Sequence, residues 1–206
     1  LMAGSAVDVS LAQEKADAIL LTWYPGARGG RAVAELLFGD CSPSGKLPVT
    51  FYESSVGLPD FTDYSMKNRT YRYAEGNVLY PFGYGLTYSK VSIRDAEFRM
   101  DKVCMTVENI GKYDTDEVLQ VYIRDVESPY EVRNWRLCAF RRVSLTAGES
   151  IRVEMPLDRN AFTVVDNEGN RIAGSGKYRI WCGVSQPDAL SESLSGVTAL
   201  TLIIEK

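Results

Sequence analysis

The chain has 206 residues, 45% of them hydrophobic, with 23 basic and 27 acidic side chains and a formal net charge of -4. That length supports one large domain or two small ones, and the charge balance leaves no basic footprint for nucleic acid and no cationic face for a membrane. Histidine is absent, which removes the commonest general base and metal ligand and excludes Ser-His-Asp and Cys-His catalysis within the chain.

The opening, LMAGSAVDVSLAQEKADAILLTW, has no basic region ahead of an apolar one and does not read as a signal peptide. It also lacks an initiator Met, so it reads as the middle of a longer polypeptide, and the compartment stays open between cytoplasmic and secreted. No apolar run approaches the ~18 residues of a membrane span. Ala16 to Leu21 (ADAILL) is a short apolar run before Pro25-Gly26, expected to be a strand buried on both faces of a parallel sheet. After Gly29-Gly30, Ala32, Val33, Leu36 and Leu37 recur at helical spacing until Gly39. Residues 31–38 are therefore expected to form a helix with Val33 and Leu36/Leu37 facing inward. CSPSGK is a turn and LPVTFY a second extended segment. A strand, glycine loop, helix, turn and strand make the end of an α/β layer, too small to stand alone without further sheet strands.

The glycine run Gly26 to Gly30 (GARGG) is not GxGxxG and lacks the GKS/T of a phosphate loop. Its expected role is a sharp turn close to the sheet, although loops at strand ends are where α/β folds bind ligands. Trp23, Tyr24 and Arg28 are candidates for a pocket edge on that ground.

From Glu53 to Leu86 the sequence turns rich in Tyr, Gly and Pro and loses periodicity. It is expected to be a long ordered loop held by aromatic packing. Within it, Arg69, Tyr71, Arg72 and Tyr73 (NRTYRY) combine guanidinium forks with flat hydroxylated rings, which suit a sugar and equally suit a domain seam. Glu75 and Asp63 lie in the same stretch. Glu35 and Asp40 are expected on a helix flank and in a turn, and Glu53 and Asp60 in polar loops.

The remainder alternates with period two. Val103, Met105 and Val107 form one such face; Leu119, Val121 and Ile123 another, with Gln120, Tyr122 and Arg124 opposite; Ile151, Val153 and Met155 a third. Seven short strands beginning at Val91 and ending at Tyr178 to Cys182, separated by turns such as NIGKYD and NEGN, point to an immunoglobulin-like β-sandwich with one wet face per sheet. VTALTLIIEK is expected as an extra edge strand or a docked arm. Cys41, Cys104, Cys138 and Cys182 are widely spaced with no CxxC, so no metal is expected and the thiols are read as free and mostly buried.

Three segments resemble glycoside hydrolase family 3 in that family's order. ADAILLTWYPGARGGRAVAELLFGDCSPSGKLPVTF and NRTYRYAEGNVLYPFGYGLTYSKV resemble the end of its α/β sandwich domain. VENIGKYDTDEVLQVYIRDVESP with LCAFRRVSLTAGESIRVEMPL resembles its fibronectin type III-like domain. The expected fold is thus mostly β: a fibronectin type III-like sandwich preceded by an incomplete α/β segment and an aromatic-rich connecting loop. The expected divisions are 1–62 for the α/β end, 63–90 for the connecting tract, 91–186 for the sandwich and 187–206 for the tail.

The resemblance implies a retaining exo-acting β-glycosidase, of β-glucosidase or β-xylosidase type, acting on β-linked oligosaccharides or glycosides. It implies that the nucleophilic Asp and the acid/base Glu belong to upstream domains, which become the chain's main partners. Retaining hydrolysis needs two carboxyl groups about 5 to 5.5 Å apart and no cofactor, and no motif here matches either carboxyl, so no catalytic residue is assigned. Trp23, Arg28, Arg69, Tyr71 and Glu75 are the candidate substrate contacts at a pocket rim. The alternative is a carbohydrate-binding or protein-interaction sandwich without hydrolase activity; self-association is left open.

Overall fold

The computed structural model describes all residues, Leu1–Lys206. Its first third is sparse in regular structure. Helix α1 (Ser10–Lys15) is followed by an extended segment and helix α2 (Gly29–Phe38). Helix α2 stops at Gly39, whose left-handed backbone (φ 80°) lets the amides of Gly39 and Asp40 return to the last carbonyls. Two expectations fail here. Residues 16–21 form no sheet ladder; 16–18 are exposed and 19–21 only partly buried. Leu37 points outward and is 69% exposed, as is Phe38 at 85%. The cause is common to both: no sheet is present for the segment to join or for the helix to cover. The only ladder-like contact runs to the chain's first residue. The Leu1 amino group donates to the Leu20 carbonyl at 2.8 Å and the Thr22 amide donates to the Leu1 carbonyl at 2.9 Å, in the pattern of a parallel pair.

The connecting tract is ordered. Strand β1 (Phe51–Tyr52) pairs antiparallel with β2 (Val78–Tyr80), and between them lie a 3-10 turn (Ser55–Gly57) and the one-turn helix α3 (Thr70–Tyr73). No helix of the chain is long and apolar enough to cross a membrane.

From Val91 the chain forms a β-sandwich. Strands β3 (Val91–Arg99), β4 (Lys102–Asn109), β5 (Thr115–Asp125), β6 (Arg136–Leu145) and β7 (Ser150–Pro156) precede the small hairpin of β8 (Thr163–Val165) and β9 (Arg171–Ala173). They are followed by β10 (Lys177–Gly183), helix α4 (Ala189–Ser195) and β11 (Leu200–Glu205). One sheet has the order β11-β10-β5-β6 and the other β3-β4-β7, all neighbours antiparallel. Val103, Met105 and Val107 from one sheet, with Leu119, Val121, Ile123 and Ile180 from the other, are fully buried in a common core. Burial of each such side chain contributes about 1.5–3 kcal/mol, which is why the alternation in these strands determines their facing. Asn109, also fully buried, is satisfied: its amide donates to the Tyr113 carbonyl at 2.8 Å and its oxygen accepts from the Ser89 hydroxyl at 2.6 Å.

The outer face of β5 corrects the expectation of a wet face. Gln120 and Tyr122 are buried because Gly83 and Tyr71 of the connecting tract lie across them. The Gln120 amide donates to the carbonyls of Gly83 (2.9 Å) and Val184 (2.8 Å), and its oxygen accepts from the Tyr122 hydroxyl (2.7 Å). Gly83 has φ 78°, and a Cβ there would sit 2.2 Å from the Gln120 oxygen, so the position accepts only glycine. Lys46 reaches across to Glu117 at 2.7 Å and also donates to the Gly85 carbonyl at 2.6 Å; both charged side chains are more than nine-tenths buried. The tract and the sandwich are thereby joined through satisfied polar groups.

Candidate functional site

The connecting tract concentrates unusual backbone. Met66, Asn68, Thr70 and Asn77 all have positive φ, between 54° and 63°. Asn tolerates that region; a β-branched Thr does not. Such strain persists only where surrounding structure enforces it, and it gathers at functional sites. Here the Thr70 amide donates to the Tyr52 hydroxyl at 3.0 Å, which anchors the turn from β1.

Around this turn the candidate residues divide. Arg69 donates through one terminal nitrogen to the carbonyls of Asp60 (2.6 Å) and Pro59 (3.3 Å), while its Nε is buried without an acceptor. Tyr71 belongs to the seam. Its ring stacks on Phe82 at 4.2 Å between centroids and meets Tyr122 edge-on at 6.3 Å. Its hydroxyl accepts from the Leu137 amide at 3.3 Å and its carbonyl from the Asn134 side-chain amide at 2.8 Å. Glu75 pairs with Arg133 at 3.2 Å in a partly exposed position. Tyr71 and Glu75 are thus gathered with Arg133 and Asn134 of the loop between β5 and β6. Trp23, half-buried with φ 51°, and Arg28, exposed at the start of α2, share no hydrogen bond, ion pair or ring contact with that group.

Arg72 is poorly compensated. It has no carboxylate partner, its Nε is buried without an acceptor, and its guanidinium lies 5.9 Å from the Tyr73 ring centre. Asn68 has a buried side-chain oxygen in the same condition. Unpaired buried polar groups are costly.

Every carboxyl whose pKa is shifted is held below its ordinary range. Hydrogen bonds from Thr62 hold Asp60 below its ordinary range, and those from Ser65 do the same for Asp63. Asp125 would be raised by burial, but hydrogen bonds from Ser175, Ser128 and Glu127 outweigh it. A general acid requires the opposite shift. Burial pushes the thiols of Cys138 and Cys182 up to about 12, which leaves them protonated and unreactive.

Reasoning from sequence missed Arg133, Asn134, Gln186 and Asp188. They are single polar residues in loops and carry no spacing signature; a tryptophan beside Asn134 was the one available signal.

Residues 1–88 match the model for the glycosyl hydrolase family 3 C-terminal domain, and residues 117–186 match that for a fibronectin type III-like domain. Among curated relatives, a xylan 1,4-beta-xylosidase of Xylanibacter ruminicola is 40% identical over 192 residues, covering 90% of this chain and 22% of the relative. A periplasmic beta-glucosidase of Salmonella typhimurium is 33% identical over 204 residues, covering 89% of this chain and 27% of the relative. The chain therefore spans about a quarter of the length of these relatives. Among solved structures, a family 3 beta-glucosidase of Bifidobacterium adolescentis superposes with a TM-score of 0.84 at 28% identity, over 99% of this chain and 32% of that one. A beta-glucosidase of Listeria innocua in complex with gluconolactone superposes with a TM-score of 0.79 at 27% identity, over 100% of this chain and 30% of that one. Sandwich topology, connecting tract and both domain matches agree: the chain belongs to glycoside hydrolase family 3, as its C-terminal domain with the fibronectin type III-like domain.

Proposed function

We propose that this chain is the C-terminal portion of a retaining exo-acting β-glycosidase of β-glucosidase or β-xylosidase type. In this reading the nucleophilic Asp and the acid/base Glu reside on upstream domains, and this chain supports them. Residues 1–62 complete an α/β sandwich domain, 63–90 connect it, 91–186 form the fibronectin-like domain and 187–206 the tail. Arg69, Tyr71 and Glu75, with Trp23 and Arg28 from the α/β segment, border the sugar pocket of the parent protein. The observation that carries the reading is the unmatched surface of the first third. Phe38 (85% exposed) and Tyr24 (80%) stand in solvent on a segment with no sheet of its own. Apolar surface of that kind marks a binding face, and the relatives are about four times longer than this chain.

Hydrolysis of aryl β-xylosides and β-glucosides tests it. The parent protein should turn over one or both, with the β-anomer appearing first by proton NMR, and the 206-residue chain should turn over neither. Turnover by the isolated chain, or an α-anomer as first product, would contradict the reading.

A further inference from the structure

Where the connecting tract, the loop between β5 and β6 and the loop after β10 meet, they leave a cleft of about 210 Å³. Its walls include the rings of Tyr71 and Trp135 and the polar side chains of Asn134, Gln186 and Asp188. Both rings are backed by a second aromatic: Tyr71 by Phe82 at 4.2 Å, Trp135 by Trp181 at 6.1 Å. Neither wall can collapse inward without breaking that packing, which keeps the cleft open.

The polar groups are tied on one side and free on the other. Asn134 spends its amide protons on the carbonyls of Tyr71 (2.8 Å) and Ala74 (3.0 Å), so its oxygen has no partner within the chain. Gln186 donates to Asp188, and its oxygen is buried without a partner. Asp188 is fixed by that bond and by the Ser191 amide at 2.6 Å, with lone pairs left over. A rigid aromatic wall with preoriented acceptors suits the apolar face and hydroxyl edge of a sugar ring. The volume lies below the ~300–1,000 Å³ of sites for larger ligands, so it holds one ring and not a chain. Asp188 gives the cleft a negative charge, and its walls contain no cation, so an anionic sugar is disfavoured.

We infer that this cleft binds a single neutral pyranose unit on the chain itself, against the same Tyr71 that the proposed function places at the pocket rim. It goes beyond the hydrolase reading, because binding here is measured on the chain without turnover and does not depend on what the parent hydrolyses.

The test is an NMR titration of the full chain, following its three tryptophan indole resonances with methyl β-glucoside, methyl β-xyloside and glucuronate. The Trp135 resonance should shift saturably with a neutral glycoside, with half-saturation at about 1–10 mM, the range open to a ligand of this size. Glucuronate should leave it unmoved. Trp135→Ala should abolish saturable binding, read at the indole of Trp181 that packs against it. Gln186→Leu keeps the side-chain size while removing the buried acceptor, and should weaken binding about tenfold, which covers the case in which Trp135→Ala disturbs the fold. Asp188→Asn retains the cap on α4 and should let glucuronate bind. No saturable shift with either neutral glycoside, or binding that survives both Trp135→Ala and Gln186→Leu, would overturn the inference; so would glucuronate binding as well as the neutral sugars in the unaltered chain.

Discussion

Lys46 and Glu117 show how much a single contact contributes to this molecule. They face each other at 2.7 Å with side chains 8% and 5% exposed, one from the first domain match and one from the second. Such a pair adds little over a hydrophobic replacement, but removing one member strands the other charge. Lys46→Met or Glu117→Leu alone should therefore lower stability by about 3–5 kcal/mol, and the double replacement should recover most of that. Urea unfolding of the four proteins would measure it; losses that simply add would contradict the pairing. The cysteines give a second test at this scale. Cys41 is exposed, whereas Cys104 and Cys182 are buried and Cys138 is partly so. At about pH 8 a thiol reagent should modify Cys41 in the folded chain and the others only after denaturation. Rapid labelling of Cys138 or Cys182 in the native state would contradict the burial that pushes their acidity down.

Among elements, strand faces were the most legible part of the fold. Val103, Met105 and Val107 alternate with polar neighbours and lie in the core as alternation requires. The same logic failed one residue away. Gln120 and Tyr122 read as a wet face, because a polar face that is covered and fully hydrogen-bonded has the same composition as one in water. The cover comes from Gly83 and Tyr71, some forty to fifty residues upstream, and no local pattern reports it. The run at Ala16 to Leu21 failed for the converse reason: its composition reports burial on two faces, and the chain supplies neither. The turn between β3 and β4 offers a prediction that improves stability. Met100 and Asp101 both have positive φ (48° and 58°), the geometry of a two-residue hairpin that favours Asn-Gly. Met100 is 80% exposed, so little of its packing would be lost. Met100→Asn should raise stability by about 1 kcal/mol, read as a shift in the urea midpoint at unchanged slope. A loss of stability would show that the methionine has a packing role. Asp101 is left in place because Lys206 pairs with it at 2.5 Å.

The whole molecule is two halves of unequal completeness. From Ser42 onward, the tract and the sandwich share hydrogen bonds, an ion pair and an edge-on ring contact. Before it, α2 presents Leu37 and Phe38 to solvent, and the extended segment beside it has backbone hydrogen bonds to Leu1 in place of a sheet. The incompleteness was legible in the sequence, since a doubly buried strand implies partners. The candidate site was legible only in part: Tyr71 and Glu75 stood out by composition, while Arg133, Asn134, Gln186 and Asp188 come together only through tertiary structure. An isolated helix of ten residues is marginal in water without packing, so the two halves should differ in local stability. Hydrogen exchange, compared between the isolated chain and the parent protein, tests this most directly. Amides of β4, β5 and β10 should be equally slow in both, whereas those of α2 and residues 18–24 should exchange fast in the chain and more than about tenfold slower in the parent. Equal protection of α2 in the two would contradict the account, since the opening segment would then need nothing beyond this chain.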